Sequence, residues 1–405
     1  MALRTVLMIM AIFAYFSIYW GALWKVPVRP FEGRIVDFDG SRIGSTVKEE
    51  LLKQSDNKIA WQIRSAQGFN NTDDVATAIV EEECWVAVTI NADATARLNA
   101  TLFSGNASYN SSAAITIIAV EARNENAYRT FIRPSVETSV QNIVHNFAVE
   151  IATEIQAQNN LTALQSVSPS TLVQPIYYTL DNVRPFDVPV ATAVSFVGLI
   201  YLLIISFYIV NSGSLARQVS GLERMLTFRS LVHLRLLTPL LLYFVISVGA
   251  VNRFHSSAFY ALLSLAFRLP FERKFGHSGF VVYWMLSFCG MSAVGLALEA
   301  LMPLLTAKFI QLFLMLWIIS NISTCLLPLD ILPGLYAYGH AAPFYNISRA
   351  VRTIVFSTRN EVRKNFGVLV AWIVVSCLTM PLIQWYRRRE QVQSWQRSQV
   401  AQKLV

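Results

Sequence analysis

The sequence predicts a polytopic α-helical membrane protein with an extracytoplasmic α/β domain inserted between its first and second transmembrane helices. Composition points there first: 54% of the 405 residues are hydrophobic and 14% are charged, against about a quarter charged in soluble domains. Long apolar runs point the same way. The third observation is the distribution of charge. Residues 25–188 hold 13 basic and 19 acidic groups, a net of −6, and the rest of the chain holds 20 and 6, a net of +14. The overall +8 therefore averages an acidic, soluble-looking domain and a basic, hydrophobic one. This pattern belongs to a membrane protein and excludes a nucleic-acid binder. Four cysteines in so long a chain exclude a disulfide-framed secreted domain, and 25 Phe, 15 Tyr and 9 Trp exclude a disordered one.

Residues 5–24 form an uncharged run of twenty, enough to cross the hydrocarbon as a helix. The run ends in bulky Tyr19, Trp20 and Trp24 instead of a small-residue cleavage site, so residues 1–24 read as a retained signal anchor. A second transmembrane helix is expected over 189–210, after Pro185 and Pro189. Further apolar runs occupy 236–252, 256–269, 279–305, 309–329 and 366–385 within a 236–386 membrane region. The 211–235 segment carries Arg217, Arg224, Arg229 and Arg235 against Glu223, and Arg387–Arg389 open a 387–405 tail. Both read as cytoplasmic, which places the 25–188 domain outside or in a lumen. Both termini on one side require an even number of crossings, whereas the runs number seven. The 236–269 stretch, interrupted by Arg253 and His255, reads either as one broken crossing or as two.

Within 25–188, strands are expected at 34–38, 61–63, 84–90 and 114–120, and helices over 43–54, 72–83 and from Asn91 or Asp93 toward Leu102. That alternation predicts helices packed on a sheet. A long amphipathic helix over 134–165 places Val136, Val140, Ile143, Phe147, Ile151 and Ile155 on one stripe. Asp37 and Asp39 share a strand face, but aspartates before a glycine are ordinary turn formers. His145 has no second ligand nearby, and Cys84 reads as a buried strand residue. Neither a metal nor a cofactor is expected. The P-loop, dinucleotide-binding, zinc-protease and nucleophile-elbow patterns are all absent, so an enzyme is the poorer class.

Several local motifs are more specific. RIVDFDG (34–40), CWVAVTINADAT (84–95), LAFRLPFERKFGHSGFVVYWM (265–285), GMSAVGLALE (290–299) and SNISTCLLPLDILPGLYAYGHAAPFYNISRAVRTIVF (320–356) resemble the fungal nitrosoguanidine-resistance membrane proteins (DUF3533-like). That family is related in turn to ABC-2-type permeases and the bacterial phage-infection-protein group, and the resemblance covers about residues 20–388. It implies an ABC-2 permease-like architecture with 330–358 as a re-entrant or interfacial exterior segment, which favours six crossings. It further implies resistance to toxic small molecules, through export or altered lipid distribution. The partners it suggests are membrane lipids, a lipophilic toxin or drug, a separate ATPase or regulatory protein, and a second copy of the chain. A non-transporting scaffold whose exterior domain binds a partner is the competing class.

Ionisable groups near hydrocarbon each require an account. Glu299 and Lys308 are expected to face each other across a short cytoplasmic connection, as an ion pair clipping two helices or as a proton or substrate relay. Asp330 is expected to pair with Arg349 or Arg352, locking an exterior loop or gating an amphipathic ligand. Tyr336, Tyr338, Phe344 and Tyr345 suit an interfacial belt. Arg217, Leu222, Arg224 and Arg229 form the expected coupling surface, on an amphipathic stretch. Glycosylation patterns occur at Asn70, Asn106, Asn110, Asn160 and Asn346. With the 25–188 domain lumenal, glycosidase treatment increases the gel mobility of protein made in a eukaryotic cell, and Asn70→Gln and Asn110→Gln remove part of that shift.

Overall fold

A computed structural model describes residues 2–54, 58–104, 109–158, 168–248 and 260–403. The chain divides into two units: one comprises residues 25–187 with 330–332, and the other comprises the remainder.

The first unit is built on a five-stranded sheet of order β2-β1-β3-β4-β5, with β1 Phe31–Asp37, β2 Ile59–Arg64, β3 Val86–Ile90, β4 Ile115–Ala119 and β5 Tyr178–Asn182. β1 runs parallel to β2 and β3, β4 is antiparallel to β3, and β5 is parallel to β4. All of β3 is buried, as a central strand covered on both faces should be. Four strands lie where the apolar runs place them. β5 is the addition: its alternating, half-exposed YTLDN is an edge strand with no apolar run to announce it.

Helices α2 Arg42–Lys53, α3 Thr72–Val80 and α4 Ala94–Ser104 alternate with the strands. α2 buries Ile43, Val47 and Leu51. α3 packs Val75 and Ile79 against Val36, Ala87 and Ile118. Its N-cap is Asn71, whose side chain accepts from Asp74 N at 3.0 Å. The long helix α5, Arg133–Gln158, buries Val136, Val140, Ile143, Phe147 and Ile151. Asp37 accepts from the backbone of Asp39 and Gly40 and pairs with Lys48 at 2.7 Å. Asp39 accepts from Thr95 N and Oγ1, at 2.9 and 2.6 Å, in the first turn of α4. Both aspartates are thus occupied in turn and capping bonds. Among the described residues no cluster of three metal-ligating side chains occurs. Burial pushes the Cys84 thiol up to about 11, so it is inert at neutral pH.

Among the described residues of the second unit, five helices are long and apolar enough to cross a membrane: Thr5–Leu23, Ala193–Val219, Phe228–Ser247, Glu272–Leu305 and Val362–Arg397, with a shorter apolar segment at Phe309–Ile322. The containing helices are α1 Ala2–Leu23, α6 Gly198–Val219, α7 Phe228–Val248, α8 Gly279–Ile322 and α10 Val362–Lys403, with α9 Pro343–Phe356 before the last. Arg253 and His255 lie outside the described residues. Of 256–269, residues 260–269 are described, and Tyr260–Ala266 forms a seven-residue helix about 10 Å long.

α8 folds back on itself. Phe344 N donates to Asn321 Oδ1 at 3.2 Å, and a Cβ on Gly290 would lie 2.7 Å from Ile347 Cδ1. Those anchors are three residues apart on α9 but 31 apart on α8, about 46 Å along a straight helix. The two limbs therefore run side by side. Pro303 lies inside this helix and cannot donate to the carbonyl of Glu299, so the hydrogen-bond ladder is interrupted there. α7 lies along the first limb: Trp284 Nε1 donates to Ser247 Oγ at 3.1 Å near one end, and Arg235 meets Glu299 near the other.

Four expectations need correction. The 211–235 segment is not a loop, because α6 runs to Val219, a left-handed Gly221 and the short turn Leu222–Met225 follow, and α7 starts at Phe228. Its apolar residues are split between two helices and form no single amphipathic face. The 330–358 segment, expected as one re-entrant or interfacial piece, is divided between the two units. Residues 330–332 belong to the sheet unit, with Val28 N donating to Ile331 O at 2.9 Å, and α9 is buried along nearly its whole length. Tyr336 and Phe344 are buried with it, Tyr336 OH donating to Ile18 O at 2.6 Å, so they form no surface belt. Asn346 is also buried, its amide donating to the carbonyls of His340 and Ala342, and it offers no glycan acceptor. Residues 387–403, about whose structure nothing was expected, continue α10 as helix.

α2 and α5 are clipped at one end by charge. Arg42 donates to Glu150 at 2.6 Å and to Glu154 at 2.6 and 2.7 Å. The guanidinium bonded to Glu154 holds that carboxyl below its ordinary 4.5. A depressed carboxyl pKa contributes stability that is present above the unfolded value and lost as pH falls through the folded one. Thermal unfolding followed against pH therefore falls below pH 4.5, and Arg42→Gln flattens that dependence.

Candidate functional site

Four membrane helices bring charge together at one point. Glu299, in the first limb of α8, is 0% exposed, and Arg217 near the end of α6 and Arg235 in α7 are 5% and 3% exposed. Glu299 Oε1 accepts from Arg217 Nη2 at 2.8 Å and from Arg235 Nε at 2.7 Å. Arg235 Nη2 also donates to the Glu299 carbonyl at 2.6 Å. This is the carbonyl that Pro303 leaves without a helical donor, so one guanidinium satisfies the side chain and the main chain at the bend. Arg235 Nη1 donates to Gln384 Oε1 of α10.

The cluster is incompletely satisfied. Glu299 Oε2, Arg217 Nε and Tyr243 OH are buried without a hydrogen-bond partner, and Arg217 Nε stands 4.0 Å from Glu223. The Tyr243 hydroxyl lies against Gly295, where a Cβ would approach to 2.1 Å, so only glycine fits one turn above Glu299. Beside the cluster opens a cavity of about 410 Å³ lined by Arg217, Glu223, Arg235, Gln384, Arg387 and Arg388 among others. A buried carboxylate held by two guanidiniums is an electrostatic lock whose spare acceptor can exchange a proton or a ligand donor.

The expected residues fall in four places. Glu299 and Arg217, taken from separate proposals, meet directly. Lys308 lies in α8 with its side chain outside the described residues, and Glu299 is held by Arg217 and Arg235. Asp330 pairs with Arg123 at 3.6 Å, and Arg349 with Glu361 at 2.9 Å. Arg352 is buried in α9. Leu222 is half-buried at the turn, while Arg224 and Arg229 are exposed. Asn70 and Asn110 are exposed, the first donating to Asp74 and the second capping a short helical turn, while Asn106 and Asn160 lie outside the described residues. Arg235 and Gln384 join the cluster without having been expected there. Starting the third span at residue 236 makes Arg235 a loop residue, whereas α7 begins at Phe228 and carries it into the bundle.

A model of the family described as protein of unknown function (DUF3533) matches residues 4–378. The chain belongs to the DUF3533 family. Among curated proteins, this DUF3533 chain is 24% identical over 419 aligned positions to an uncharacterized endoplasmic reticulum membrane protein of Saccharomyces cerevisiae, YJR015W, covering 93% of the chain and 78% of the relative. No solved structure matches it.

Removing one member of a buried ion pair costs about 3–5 kcal/mol, because the partner is left charged and dry. Arg235→Gln loses contacts to two helices and the bend carbonyl, whereas Arg217→Gln leaves Glu299 still neutralised. Thermal unfolding of the full-length protein in detergent ranks Arg235→Gln well below Arg217→Gln.

Proposed function

We propose that this DUF3533 protein is a permease-like, non-enzymatic membrane protein that aids resistance to toxic small molecules, by export or by altering lipid distribution. The observation that carries this reading is the Arg217–Arg235–Glu299 lock at the meeting point of α6, α7, α8 and α10, beside a polar cavity. Buried ionisable groups facing a bundle interior mark substrate or proton pathways in membrane proteins. A lock joining four helices also gives a charge-bearing ligand the means to shift their packing.

The topology goes with it. α8 supplies two crossings, which with α1, α6, α7 and α10 makes six. Both termini are then cytoplasmic, as are the turn bearing Arg224 and Arg229 and the basic Arg387–Arg389 stretch, and the sheet unit is lumenal or exterior. The endoplasmic reticulum relative favours an endomembrane. An ABC-2-type exporter would take a separate ATPase, with the cytoplasmic turn around Leu222 as the coupling surface. A second reading rests on the same lock: a static clip would suit a scaffold whose sheet unit binds a partner protein.

Purified protein reconstituted with labelled lipids and lipophilic drugs separates the two. The wild type moves label across the bilayer, and Glu299→Gln of normal abundance loses that movement. No flux for any lipid or drug, together with a stable co-purifying partner, overturns the transport reading.

A further inference from the structure

The cavity beside the lock has its own chemistry. Four arginines, Arg217, Arg235, Arg387 and Arg388, line it against one carboxylate, Glu223. Counting Glu299, which neutralises one of them from behind, and Glu390, which pairs with Arg387 at 2.7 Å, the site still holds one net positive charge. Two of the donors are unsatisfied although buried: Arg217 Nε and Arg388 Nη1 donate to nothing. Arg217 as a whole is 5% exposed, so water does not readily repair the deficit. Arg388 is held in place by Nη2, which donates to Leu226 O at 3.2 Å, leaving its other nitrogen free at the cavity. Buried guanidinium donors left open beside a cationic cavity match an oxyanion, which accepts several N–H bonds at once. Asn211, Gln218 and Gln391 supply further neutral donors around the wall.

The flank of the cavity is apolar. Leu215 lines it while 59% exposed, and Val219, one helical turn further on, and Met225, in the short helix that follows, are 81% and 79% exposed. Arginines facing an oxyanion beside uncovered aliphatic side chains suit an anionic group with a hydrocarbon tail.

We infer that this cavity binds a phosphate-bearing anion, presented by an anionic lipid headgroup at the cytoplasmic face. Arg217 and Arg388 contact the phosphate, and Leu215 and Val219 contact the first part of the acyl chains. The inference rests on the topology and transport reading above for its setting, but the binding event needs no flux. Ligand bound at Arg217 competes with Glu223 for that guanidinium, which links occupancy to the lock.

The test is thermal unfolding of the full-length protein in nanodiscs of phosphatidylcholine alone, or with phosphatidic acid added. Phosphatidic acid raises Tm, and Arg388→Gln abolishes most of that rise while unfolding normally in phosphatidylcholine; Arg387→Gln serves if the first variant folds poorly. Inorganic phosphate or glycerol phosphate is added in a parallel arm. A rise from these soluble ions equal to that from the lipid, and equally sensitive to Arg388→Gln, keeps the phosphate site and overturns its lipid source. No rise in either arm, or a rise indifferent to both substitutions, overturns the site. Binding without flux leaves the site standing and removes the transport reading, whereas flux without binding does the reverse.

Discussion

The membrane unit depends on the solvation of one residue. Glu299 presents two demands at one place, a carboxylate with no water and a main-chain carbonyl with no helical donor because Pro303 follows four residues later. Arg235 answers both, with 2.7 and 2.6 Å bonds. That answer is available only if α7 lies against the bend of α8, and Gln384 and Arg217 then draw α10 and α6 to the same point. The bend in turn lets both limbs of α8 reach α9, through Gly290 and Asn321. Charge neutralisation, helix curvature and the burial of α9 are thus parts of one arrangement.

Much of the sheet unit was legible because its signals are local. Ile43, Val47 and Leu51 recur at helical spacing, and the β-branched run at 114–120 can hardly be anything but a covered strand. β5 was illegible for the converse reason: Tyr178–Asn182 is a polar edge strand whose pairing with β4 is set by the rest of the sheet. The cap at Asn71 illustrates a smaller ambiguity, since Asn71 and Thr72 are both good caps and only geometry chooses between them.

The candidate site was half legible. Glu299 stands out as a lone acid in an apolar run, but its partners lie 82 and 64 residues away. A linear scan pairs it with the nearest cation, Lys308. Arginines at helix ends are ordinarily read as topology signals, so Arg217 and Arg235 were assigned to a basic loop. The same arginines can be sidedness markers and buried partners, because a helix extending past the apolar run carries its terminal charges inward. The sequon at Asn346 misleads by a related route: its three residues say nothing of the helix that buries them.

The unbroken course of α10 has a mechanical meaning. Gln384 touches the lock, and the helix continues from there to Lys403, about 28 Å of rigid rod. Pro381, three residues before Gln384, removes the donor for the Cys377 carbonyl and leaves a compliant point just inside the contact. A rod pivoting there works as a lever, with its short arm on Arg235 and its long arm running past Arg388, which donates to Leu226 O. Small displacements far along the rod become smaller, more forceful ones where Gln384 meets Arg235.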